Sequence, residues 1–195
     1  MVQDRPRIFY NSPHVPAEWI DAHGFQPSRV TPATGFGGIY TGMGVCSYAA
    51  ALIHETARGS DGAAIVLAAS CDQMRRLAER LAAETPRPVF LLGVPTAVEA
   101  PTARPLYREE LQRLGRFLER LGGKPPEPSG LAEVMARYDG ARNRLGSLRR
   151  KMSARSFSGG ADALSKRRLD RIGPIAVRTC RGRRHTPRIG GEPIA

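Results

Sequence analysis

The chain has 195 residues, 41% of them hydrophobic but only 6% aromatic, and a formal net charge of +12. That length suits one domain with a real core and is short for two. No apolar run nears the ~20 residues of a membrane helix, and no apolar stretch follows the charged Met1–Arg7 segment as it would in a signal peptide. Three cysteines, an odd number, argue against a disulfide framework, so a reducing cytoplasm is the expected setting.

In chain order, Arg7-Ile8-Phe9-Tyr10 is a short strand candidate that Asn11-Ser12-Pro13 ends. Residues 16–24 read as a two-turn helix, with Pro16 at its start and Gly24 as its C-terminal stop. Residues 25–45 are glycine-rich and loop-like. From Cys46 to Arg58, residues Ala49, Ala50, Ile53 and Ala57 share a helical face, and Gly59-Ser60-Asp61-Gly62 closes that helix. The run 63–69 is apolar on both faces and too short for a free helix, which is the pattern of a buried parallel strand.

Ser70-x-x-Gln73 has capping-box spacing for the next helix, whose stripe is Met74, Leu77, Ala78 and Leu81. Pro86-Arg87-Pro88 leads into a second buried strand, 89–94, and Pro95 ends it. Thr102 to Leu121 has the strongest helical period, with Leu106, Leu111, Leu114, Phe117, Leu118 and Leu121 at threes and fours. Gly122-Gly123 stops it. After the stiff Lys124–Pro128 connection, Ser129 caps a last helix reaching Arg150, with Leu131, Val134, Met135, Tyr138, Ala141 and Leu145 inward.

Strands alternating with helices predict an α/β fold: a three-layer, open parallel sheet of Rossmann or flavodoxin type over residues 5–150, with strands near 7–10, 64–69 and 88–94. Residues 151–195 carry eight of the twelve net positive charges, little periodicity and one aromatic, Phe157. They read as a poorly ordered basic tail, with Cys180 remote from the other cysteines. Basic tails attract phosphate backbones, but without interleaved aromatics this one argues against nucleic acid as the main partner.

Common catalytic motifs are absent. Gly42-x-Gly44-x-x-Ser47 fails the dinucleotide fingerprint at its last position, and no P-loop occurs. His54-Glu55 is followed by Arg58 where a zinc-protease helix needs histidine. The chain has no Cys-x-x-Cys and no Gly-x-Ser-x-Gly. The cysteines remain. Cys46 follows the glycine-rich loop, Cys71 follows the apolar run 63–69, and each opens a helix. Backbone N–H groups and the positive helix end stabilise a thiolate at such a position. The bland alternative is a small buried hydrophobe, but Ser47 and Asp72 follow where a core position would stay apolar.

Several segments in order resemble the 2-hydroxyacyl-CoA dehydratases and the related benzoyl-CoA reductase subunits. They are Pro16–Pro27, Cys46-Ser47, Ser70-Cys71-Asp72-Gln73-Met74-Arg75-Arg76, Pro88–Pro95, Tyr107–Leu114 with Leu118–Gly123, and Tyr138-Asp139-Gly140-Ala141-Arg142. The Cys-Asp followed by Arg-Arg after a buried strand is the most specific of these. The resemblance implies a subunit of a dehydratase (a lyase) or of an acyl-CoA reductase, with a [4Fe-4S] cluster, Cys46 and Cys71 as cofactor and metal ligands, and a third cysteine from a second lobe. It also implies a second dehydratase subunit, an ATP-dependent activator that donates one electron, and an acyl-CoA thioester that loses water through a ketyl radical. Asp72 and Gln73 would cap the helix or support the ligands. The pattern departs after about residue 150, where most of the second lobe would follow, and only Thr179-Cys180-Arg181-Gly182 is faintly similar to the third-cysteine segment. A truncated or divergent subunit fits that departure. The alternative is a non-catalytic remnant, or a module that uses the basic tail on a partner or nucleic acid.

Overall fold

The computed structural model describes residues 5–31, 44–58, 62–149 and 153. Its elements are β1 (Arg7–Tyr10), α1 (Ala17–Ala22), β2 (Gln26–Arg29), α2 (Ser47–Arg58), β3 (Gly62–Ala68), α3 (Asp72–Glu84), β4 (Val89–Leu92), α4 (Ala103–Arg120) and α5 (Pro128–Arg149). The four strands form one sheet in the order β2-β1-β3-β4, and every pairing is parallel. That is the flavodoxin-type order, in which the chain reverses its direction of travel between β1 and β3.

Strand alternation sorts the core into two layers. Ile8, Ala64, Val66, Ala68, Phe90 and Leu92 face α1 and α4, where Ile20, Leu114, Phe117 and Leu118 complete one cluster. Phe9, Ile65 and Leu67 face the other way, onto Leu52 and Ile53 of α2 and Met74, Leu77 and Leu81 of α3. Both faces of the central strands are covered, which is why their sequence is continuously apolar.

One element departs from the sequence reading. Residues 26–29, expected in a loop, form edge strand β2, so the sheet has four strands rather than three. Gln26-Pro27-Ser28-Arg29 shows no apolar alternation because all four residues are half-buried at an edge. Pro27 is tolerated there: the Gln26 N–H bonds to the carbonyl of Pro6, just before β1, and the Val30 N–H to that of Tyr10 at its end, so position 27 faces the open side where no donor is needed.

The helix stops follow the sequence. Gly24 has φ +92°, the left-handed conformation that ends α1, and Gly122 ends α4 at φ +94°. At Gly123 a Cβ would lie 2.6 Å from the Phe25 ring and 2.9 Å from the His23 carbonyl, so only glycine lets the α4–α5 connection pass.

The last helix starts at Pro128 rather than after a Ser129 cap, because proline's fixed φ suits the first helical position. It lies over α1 as an outer layer, not on the sheet. Its apolar positions are therefore only partly covered: Ala141 is buried, Leu131, Val134, Tyr138 and Leu145 are half-buried, and Met135 is exposed. Leu106 of α4 is likewise exposed rather than inward. The expectations for the basic tail and for Cys180 lie outside the described residues. Among the described residues, no helix is long and apolar enough to cross a membrane.

Candidate cysteine site at the sheet edge

Where β1 ends, Asn11 is buried and fully engaged. Its Oδ1 accepts the Ala68 N–H at 2.9 Å, its Nδ2 donates to Met74 Sδ at 3.1 Å, and its carbonyl accepts the Tyr48 hydroxyl at 2.9 Å. One residue thus ties the carboxyl ends of β1 and β3 to the starts of α2 and α3. This is the point of reversal in strand order, where open parallel sheets bind ligands. The sequence marked Asn11 only as a strand terminator. An asparagine directly after an apolar strand was the available signal.

Both cysteines flank this point. Cys71 has extended backbone (φ −159°, ψ 167°) and is the residue from which α3 starts. Its carbonyl accepts the Met74 N–H at 3.1 Å. Cys46 immediately precedes α2, and its carbonyl accepts the Ala50 N–H at 3.0 Å. Both are free and exposed. The expected placement of each thiol at a helix start is therefore observed.

The capping box is not. Ser70 lies one residue before the cap, and α3 has no side-chain cap bond. Gln73 instead reaches across to the other helix, its Oε1 accepting the Cys46 N–H at 2.8 Å. Asp72 is exposed, with Arg75 Nε at 4.0 Å as its ionic neighbour. Its carboxylate suits the positive end of α3. Tyr48 lies in the first turn of α2 and feels both Arg29 and Cys46. Burial raises its phenol above the ordinary value, the Arg29 guanidinium opposes that, and Cys46 adds to it.

A separate cavity of about 730 Å³ lies at the same edge, between α1, α4 and α5. Its walls are mainly apolar, with Trp19, Val94, Pro95 and Leu111 among them, and Tyr107, Arg104 and Glu99 supply polar groups. Val98 and Met135, both exposed, also line it. Neither cysteine does. No sequence signal could have assembled it, because its walls come from four separated segments. Among the described residues, no group of three or more His, Cys, Asp or Glu side chains is placed to hold a metal ion.

A flavodoxin-ordered lobe with two exposed thiols on neighbouring helix starts, at the point where strand order reverses, defines an open, parallel α/β protein. More narrowly, the chain belongs to the family described as 2-hydroxyglutaryl-CoA dehydratase, D-component, which matches residues 13–166. That span includes Cys46, Cys71, Gln73 and the whole of α5. No curated protein matches the chain.

Proposed function

We propose that this chain is a lyase-type subunit acting on 2-hydroxyacyl-CoA thioesters, and that Cys46 and Cys71 are two of the ligands of an iron–sulfur cluster. The observation that carries this reading is the Gln73–Cys46 bond, which joins the two cysteine-bearing helix starts within a dehydratase family member. Two exposed thiols at one sheet edge are the donor type that such clusters take. They fit as part of a ligand set and not as all of it, since a cubane cluster is usually held by four cysteines and the described residues offer no third donor nearby. The remaining donors would come from outside these residues.

Bound there, a cluster would supply one-electron transfer and an iron able to act as a Lewis acid. The chain's own part is positional. Asn11 locks the strand ends, Gln73 joins the two helix starts, and the apolar cavity offers a wall of the size a small acyl group needs. A second dehydratase subunit and an ATP-dependent activator belong to the same proposal. So do a cytoplasmic setting, where thiols stay reduced, and a division into a lobe at 5–150 and a basic segment at 151–195.

The test is anaerobic reconstitution of the full chain with ferrous iron and sulfide. A stoichiometric iron–sulfur absorption band is expected, lost in Cys46→Ala and in Cys71→Ala. Iron retained equally by both variants would overturn the assignment.

A further inference from the structure

We infer that Gln73 is a positioning residue, which sets the spacing between Cys46 and Cys71 by capping the helix it does not belong to. The inference rests on the reading of these cysteines as a ligand pair. In a capping box, the third residue of a helix reaches back to the N–H of its own cap residue. In α2 that third residue is Ala49, which has no side-chain acceptor, so α2 cannot form a capping box on the Cys46 N–H. Gln73, in the first turn of α3, supplies the acceptor at 2.8 Å.

The consequence is mechanical. Cys71 is fixed to α3 by its place at the helix start, and Gln73 follows it by two residues on the same rigid turn. A bond from Gln73 to the Cys46 backbone therefore ties both cysteines to one frame. Cys46 follows Gly44, at φ +66°, and Val45, whose side chain packs on the core layer shared by α2 and α3, so the chain enters α2 from a fixed point and Gln73 holds the next N–H.

The experiment needs no cluster. Phenylarsine oxide condenses with two neighbouring thiols: two As–S bonds form, the As–O bond breaks, and the two thiol protons leave with the oxygen as water, without net oxidation or reduction. Every protein carries Cys180→Ala in the full chain, so that only Cys46 and Cys71 can react. The parent should form a one-to-one bridged adduct, read by mass and by titration. Gln73→Met keeps the length and helix propensity of the side chain but removes the acceptor. It should weaken bridging roughly three- to tenfold, the worth of one hydrogen bond, while alkylation of each exposed thiol by iodoacetamide stays at the parent rate. Gln73→Glu keeps the acceptor and should restore bridging, because the bridged product is neutral.

Equal bridging by the parent and Gln73→Met would overturn the inference, as would a parent that cannot be bridged at all. If bridging depends on Gln73 but reconstitution yields no iron, the cluster reading fails and the positioning role stands. If a cluster forms and bridging ignores Gln73, the reverse holds.

Discussion

Helices α3 and α5 are held to the same lobe by opposite means. The thirteen-residue α3 buries Met74, Leu77, Ala78 and Leu81 against the sheet. The twenty-two-residue α5 buries only Ala141. It is fastened instead through charge. The buried Asp21 of α1 accepts from Arg137 at 2.6 Å and from the Tyr138 hydroxyl at 3.1 Å, and its second oxygen takes Arg5 at 2.7 Å. Arg142 adds an ion pair to Glu18. Length therefore does not measure attachment. Apolar area removed from water holds α3 at any ionic strength, whereas the clamp on α5 depends on a few directed bonds that salt and mutation reach.

The largest effect expected from breaking this contrast lies in α3. Leu81→Ala removes a fully buried side chain between α3 and the sheet and should cost about 2–5 kcal/mol. Chemical denaturation should show the loss, little changed by added salt. Because α3 carries Cys71 and Gln73, arsenical bridging should weaken in the same variant.

Asp21→Asn tests the other side. It leaves Arg5 and Arg137 without a carboxylate, but these side chains are 37% and 46% exposed, so water compensates in part. The expected loss is about 1–3 kcal/mol, and it should be local. Amide exchange should accelerate over residues 128–149 and stay slow over 72–84. Uniform acceleration across both helices would show that α5 is integral to the lobe's cooperative unit.

The smallest effect sharpens the comparison through pH. Burial pushes the Tyr138 phenol well above its ordinary value near 10, and the Asp21 carboxylate, both as a charge and as a hydrogen-bond acceptor, pushes it further. A raised phenol favours the neutral form in the folded chain. Its contribution is therefore complete below pH 10 and lost as pH climbs above it. Tyr138→Phe should cost about 1 kcal/mol at neutral pH and should flatten the alkaline loosening of α5, followed by exchange over 128–149. An unchanged alkaline limb would assign that loosening to another group.

How much of this was legible beforehand depends on the kind of signal. Strands β1, β3 and β4 were readable because strands covered on both faces must be apolar throughout, and helices α3 and α4 because one face of a period of 3.6 must be. The stops at Gly24 and Gly122 were readable because few other residues take their backbone angles easily. Edge strand β2 was hidden, since its bonds are backbone bonds that any residue except proline can make, and even Pro27 sits where no bond is required. Met135 and Leu106 carried a helical period but not the knowledge that no described element covers them.

The sequence by itself determined the α/β class, the order of most elements and the placement of Cys46 and Cys71 at helix starts, because local period and turn chemistry act over a few residues. Tertiary structure alone decided which distant partners meet. Gln73 has the spacing of a cap for its own helix, yet it bonds a residue 27 positions earlier. Asp21 looks like a surface residue of a short helix, yet it is buried under a helix that begins more than a hundred residues later. A hydrogen-bonding side chain can take any donor or acceptor within reach, and only the packed sheet fixes which one that is.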